Sequence, residues 1–166
     1  MNQYQIVVLG DSAESKFLLS NYTDGTKEDG HEISNHLIRT SEALILVYSI
    51  TSFEKFRHIE HYCKKIVNSI TRTTFSTPII IVGDNLDRVN EREVSRNEGL
   101  QLAEKYKCEF LEVSTKTALN VEKCIHTLVR MIRKNNEDEK NMNLKDWNGK
   151  ERNQVKCNIL KNVLEM

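Results

Sequence analysis

The chain carries no excess of either charge: 24 lysines and arginines balance 24 aspartates and glutamates over 166 residues. A global basic field that would draw nucleic acid is therefore missing, and so is an acidic field for cationic partners. The four cysteines, Cys63, Cys108, Cys124 and Cys157, include no CxxC pair and no regular spacing. Such a set predicts reduced thiols in a cytosolic protein. No long apolar run opens the chain; Ile6 to Leu9 is too short for a signal peptide or a membrane span. A prenylation box needs cysteine four from the end, and that place holds Val163. The expectation is a cytoplasmic protein without a lipid anchor. Hydrophobic residues at 39% and charged residues at 29% suit one soluble globular domain, which at this length buries a core without staples.

What is present is an alternation of apolar runs and helical patterns. Tyr4 to Leu9, Ala43 to Ile50, Pro78 to Gly83 and Cys108 to Val113 read as strands. Their Ile and Val content fits strands covered on both faces, as in a parallel sheet. Phe53 to Ile70 carries a helical stripe at Phe53, Phe56, Ile59, Cys63, Ile66, Val67 and Ile70. Ser95 to Glu98 is a capping box for a helix through Tyr106. Asn120 is the expected cap of a further helix, with Val121, Cys124, Ile125, Leu128, Val129 and Ile132 on one face. This order predicts an α/β, doubly wound, mostly parallel sheet with right-handed crossovers. Residues 135–154 are polar and mixed in charge, and read as a linker. Residues 155–166 read as a short amphipathic tail.

The first strand runs into Gly10-Asp11-Ser12-Ala13-Glu14-Ser15-Lys16-Phe17. A P-loop, G-x-x-x-x-G-K-S/T, wraps phosphates in backbone N–H groups, reaches them with its lysine and binds Mg²⁺ through its hydroxyl. Gly10 and Lys16 stand at that spacing. Ser15 replaces the second glycine and adds a Cβ where backbone approaches phosphate. Phe17 replaces the metal-binding hydroxyl, and Asp11 and Glu14 place two negative charges beside the cradle. Alone, the loop reads equally well as an ordinary strand-to-helix turn.

Two later pieces shift that balance. The third strand ends in Gly83-Asp84-Asn85-Leu86-Asp87, and the fourth in Ser114-Thr115-Lys116. With the loop at Gly10 and the stretches RTSEALILVYSITSFEKF and FLEVSTKT, the chain resembles the Ras-type small GTPases over residues 4–21 and about 36–134. The resemblance implies a G domain over residues 1–134 and a P-loop sheet. Gly10, Ser15, Lys16 and Gly25 would bind phosphate. Asp84, Asn85, Asp87, Ser114, Thr115 and Lys116 would form the guanine site. Within that family, the missing lipid box resembles the estrogen-regulated growth-inhibitor-like branch.

Carried over position by position, the resemblance is mixed. Asp87 matches the aspartate that accepts the N1–H and amino group of guanine. Ser114 and Lys116 match their counterparts, and Thr115 should turn a backbone N–H towards the guanine oxygen. Asp84 replaces an asparagine, and Asn85 replaces a lysine. Only Tyr22 to Gly30 separates the P-loop helix from the next helical stretch. Two strands and their loops need roughly 25–35 residues, so two family strands and the switch threonine are expected to be missing. Tyr22 would sit at the switch aspartate and Thr26 at the catalytic glutamine, with Gly25 surviving; alternatively Asp24 is the displaced aspartate. No residue is assigned as catalytic, GTP or GDP binding is expected to be weak, and Mg²⁺ binding is doubtful.

Three readings follow. One is a signalling pseudo-GTPase or scaffold with unnamed protein partners. One is a working GTP/GDP switch of low activity. The last is a shortened product without function. Loss of two strands would also expose the edge of the first strand, so a homodimer through that edge, cover by residues 155–164, or poor solubility is expected. His58 and His61, three apart with Cys63 near, read as a solvated helix face rather than a metal site.

Overall fold

The structure, a computed structural model, describes residues 4–10, 38, 40–70 and 77–146. Four strands, β1 (Ile6–Gly10), β2 (Ala43–Ser49), β3 (Ile79–Asp84) and β4 (Glu109–Glu112), alternate with helices α1 (Phe53–Ile70), α2 (Arg96–Tyr106) and α3 (Val121–Asp146). A 3₁₀ segment, Leu86–Glu91, follows β3. The strands form one parallel sheet in the order β1-β2-β3-β4. This is the expected α/β architecture, and the four strands expected from the apolar runs are all present. Residues 11–37, where two family strands are expected to be missing, lie outside the described residues, as do the tail at 155–166 and Cys157.

Side chains alternate across the sheet, so each strand feeds two cores. Val7, Leu9, Leu44, Leu46, Tyr48 and Ile81 face α1 and α2, where Phe56, Ile59, Ile66 and Leu102 meet them. Ile6, Val8, Ile45, Val47, Ile80 and Val82 face α3 through Val121, Cys124, Leu128 and Ile132. Burial on both faces is why the strands read as unbroken apolar runs. Each fully buried Ile or Leu contributes about 1.5–3 kcal/mol. Among the described residues β1 pairs on one side only, with β2, and all five of its residues are buried.

Gly10 closes β1 with φ at +150°. A Cβ there would sit 2.0 Å from the Val47 carbonyl oxygen. The first glycine of the loop is thus demanded by the approach of β2, independently of any phosphate.

Ser95 caps α2 as expected: its hydroxyl accepts the Glu98 N–H, and Glu98 accepts the Ser95 N–H at 2.8 Å. Asn120 stands at the expected cap position, directly before Val121, and its carbonyl accepts the Cys124 N–H at 3.0 Å. Asn120 takes φ at +61°, and its Nδ2 donates to the Glu112 carbonyl at 2.9 Å. Its side chain ties the start of α3 to the end of β4. The expected linker from residue 135 differs, because α3 continues to Asp146. No glycine or proline interrupts residues 121–146, and Arg133/Glu137 and Lys134/Asp138 are opposite charges at i, i+4.

Tyr48 is fully buried on β2, and its hydroxyl has no hydrogen-bond partner among the described residues. Gly83 and Gly99 make room for it: a Cβ would lie 3.1 Å from that hydroxyl at Gly83 and 2.5 Å at Gly99. Burial, and then the Glu112 carboxylate, pushes its ionisation up. An unsatisfied buried hydroxyl costs about 1–3 kcal/mol. Tyr48→Phe is therefore expected to stabilise the protein by about 1 kcal/mol, and calorimetry should show the rise in Tm. A fall would reveal a partner for the hydroxyl.

Candidate functional site

In a parallel sheet, ligands gather beyond the carboxyl ends of the strands. The segments that follow β3 and β4 bring Asp84, Asn85, Asp87, Ser114, Thr115 and Lys116 to that end. Backbone bonds fix the two segments together: Val113 N–H donates to Gly83 O at 2.8 Å, and Leu86 N–H donates to Val113 O at 3.0 Å. Ser114 N–H donates to Leu119 O at 3.0 Å, which shapes the loop before α3.

Asp87 is exposed, and its Oδ1 accepts the hydroxyl of buried Ser114 at 2.6 Å. Ser114 Oγ in turn accepts the Thr117 N–H at 3.2 Å, which sets the direction of its proton. The Ser114 hydrogen bond, with smaller contributions from Lys116 and Arg88, holds the Asp87 carboxyl below its ordinary range. Asp87 therefore presents a fixed carboxylate at neutral pH. Lys116 is exposed beside it.

Asp84 is fully buried. Its Oδ1 accepts the Thr115 backbone N–H at 2.9 Å, and its Oδ2 accepts the Thr115 hydroxyl at 2.8 Å. This corrects the expectation that the Thr115 N–H faces the base: the buried Asp84 side chain holds it inside the protein. Asn85 takes φ at +68° and turns back, its Nδ2 donating to Ser49 Oγ at 2.7 Å. Ser49 Oγ also lies 2.7 Å from Thr51 Oγ1. Sequence reasoning missed Ser49 and Thr51, although Ser49 closes β2 at the same edge of the sheet. Of the phosphate-site candidates, Gly10 is described; Ser15, Lys16 and Gly25 lie outside the described residues.

Comparison with known proteins gives the family. The profile of the Ras family matches residues 5–134. The chain belongs to the Ras family. It is 38% identical to a Ras-like protein of Laccaria bicolor over 115 residues, 69% of this chain and 54% of that protein. It is 32% identical to Ras-like protein rasS of Dictyostelium discoideum over 145 residues, 86% of this chain and 74% of that protein. It is 34% identical to Ras-like protein 1 of Saccharomyces cerevisiae over 117 residues, 70% of this chain and 37% of that protein. The chain thus spans about half the length of the Laccaria relative.

The Ras family in general binds guanine nucleotide and Mg²⁺. The described half of the site fits one edge of guanine. Asp87 offers a carboxylate to adjacent N–H donors, and no side-chain hydrogen bond other than the one from Ser114 occupies it among the described residues. The other edge fits poorly, because the Thr115 N–H that would meet a carbonyl is already taken. Among the described residues no group of three His, Cys, Asp or Glu is placed to hold a metal ion, and no helix is long and apolar enough to cross a membrane.

Proposed function

We propose that this chain is a Ras-family pseudo-GTPase: a cytoplasmic signalling scaffold with weak or no GTP binding and hydrolysis. The observation that carries the reading is the capture of the Thr115 N–H by buried Asp84, which removes a donor from the base site. The loop adds to it, with Phe17 at the metal-binding hydroxyl and Ser15 at the second glycine. Thr26 stands where the glutamine that orients water is expected. Phosphoryl transfer relies on positioning and on neutralisation of charge, so these losses remove the means of hydrolysis. Each lost charge-assisted hydrogen bond costs about 1.5–3 kcal/mol. Three such losses, of the P-loop hydroxyl, the switch threonine and the catalytic glutamine, amount to roughly three to six decades in affinity. Protein partners, and self-association through the side of β1 that has no strand neighbour among the described residues, belong to this proposal.

The ordered Asp87–Ser114 pair favours a second reading, a working GTP/GDP switch of low activity. Titration with fluorescent GDP and GTP, with and without Mg²⁺ and beside Lys16→Ala, separates the two. Micromolar or weaker dissociation constants and no turnover are expected. GDP retained through purification at nanomolar affinity, with hydrolysis dependent on Mg²⁺, would establish the switch instead.

A further inference from the structure

The bond pattern around Asp84 bears on which base the site accepts, and this inference rests on the nucleotide-site reading above. Asp84 ends β3 with no exposed surface, and Thr115 is 5% exposed after β4. The two Thr115 donors, N–H and hydroxyl, are bound by the two oxygens of one carboxylate, at 2.9 and 2.8 Å. We propose that Asp84 is a specificity-determining residue: it closes the side of the base subsite that would read a 6-carbonyl. A purine is then selected by its 1-NH and 2-amino edge at Asp87 alone.

The physical reason is a competition between acceptors for one N–H. A purine carbonyl is a neutral acceptor, whereas a carboxylate is charged and binds donors about twice as strongly. Guanine O6 could take the Thr115 N–H only by breaking its hydrogen bond to the buried Asp84 side chain. The carboxylate would also repel the lone pairs of O6, since both are acceptors. Asp87 behaves oppositely. It is exposed, Ser114 holds its Oδ1 at 2.6 Å, and its Oδ2 carries no side-chain hydrogen bond among the described residues. A carboxylate fixed in that way suits two neighbouring donors, which guanine presents at N1 and the 2-amino group. An amide at position 84 would remove the charge, hold the Thr115 N–H less firmly and add a donor.

The test is a competition titration of the full chain with GDP, 6-thio-GDP, IDP and, as a base-free control, inorganic pyrophosphate. 6-Thio-GDP keeps the 1-NH and 2-amino donors and replaces the 6-oxygen with a weak acceptor. IDP keeps the 6-oxygen and lacks the 2-amino group. In the wild type, GDP and 6-thio-GDP should agree within about threefold while IDP binds about tenfold more weakly. Asp84→Asn, shown to be folded by thermal unfolding, should tighten GDP about tenfold and leave 6-thio-GDP behind. A wild type that prefers GDP over 6-thio-GDP by tenfold overturns the proposal, as does a folded Asp84→Asn with an unchanged ratio. If the variant does not fold, the wild-type ratio decides. If the wild type binds none of the three nucleotides, GDP binding gained by Asp84→Asn supports the role of Asp84, and no gain overturns it. Nanomolar GDP with the predicted ratio would remove the weak-binding reading and keep the inference.

Discussion

Arg92→Met is expected to destabilise the protein by about 2–4 kcal/mol. Arg92 leaves the 3₁₀ segment and reaches Glu112 at the end of β4 in a two-pronged pair, Nη1–Oε1 at 2.6 Å and Nη2–Oε2 at 3.1 Å. The Glu112 side chain is 7% exposed and that of Arg92 is 20% exposed. The hydrogen bond to Glu112 holds the guanidinium pKa above its ordinary value. Removing the cation leaves the Glu112 carboxylate buried without its Arg92 partner. Breaking a fully buried pair costs about 3–5 kcal/mol, and the partial exposure of Arg92 lowers that figure because water can enter. Urea unfolding should show a lower midpoint at unchanged slope. The double variant Arg92→Met/Glu112→Met should recover most of the loss, since an apolar pair needs no partner. A single variant within about 0.5 kcal/mol of wild type would mean that water already solvates the pair. The same variant reports on the site: the Glu112 carbonyl holds Asn120, and Val113 to Thr115 continue from Glu112.

Raising the pH from about 8 to about 10 is expected to remove about 4 kcal/mol of stability and lower Tm by roughly 10 °C. Burial pushes the Cys108 and Cys124 thiols from 9.0 up to about 12, and pushes Cys63 up further. The unfolded chain releases these protons from about pH 9, where the folded chain still keeps them. Below about pH 8 both states are protonated, and the thiols contribute little pH dependence. Between 9 and 12 the unfolded state binds fewer protons, so stability falls as pH rises. Each thiol contributes at most about 1.4 kcal/mol per pH unit, and three act together. Burial also pushes Tyr106 up to about 12, which steepens the fall above pH 10. Thermal unfolding in reductant, scanned over pH, measures the effect. A flat profile would mean that these thiols meet water in the folded state. The same burial predicts slow alkylation of Cys63, Cys108 and Cys124 at pH 8, because the thiolate is the reactive form.

Several elements could be read directly from residue order. Unbroken Ile and Val runs named β1 to β3, because strands covered on both faces need no polar side. The stripe from Phe53 to Ile70 matched α1, and the Ser95/Glu98 spacing matched the start of α2. These signals are local: they depend on periods of two or 3.6 residues and on bonds between positions three apart. Asn120 stands before its apolar stripe at the start of α3, as its position suggests, while its amide finds the carbonyl of Glu112 eight residues earlier. The length of α3 was missed because a polar, mixed-charge composition suits both a linker and an exposed helix.

By itself the sequence determined the α/β class, the positions of the strands and the first two helices, and the placement of Asp84, Asp87, Ser114, Thr115 and Lys116 at strand ends. Only the tertiary structure decided what those residues do to one another. Asp84 and Thr115 lie 31 residues apart, Ser49 and Asn85 lie 36 apart, and Arg92 and Glu112 lie 20 apart. A donor on one strand end chooses among the acceptors that folding brings within about 3 Å of it. That choice depends on the register of neighbouring strands and on charge in a dry interior. Neither is contained in the spacing of residues along the chain.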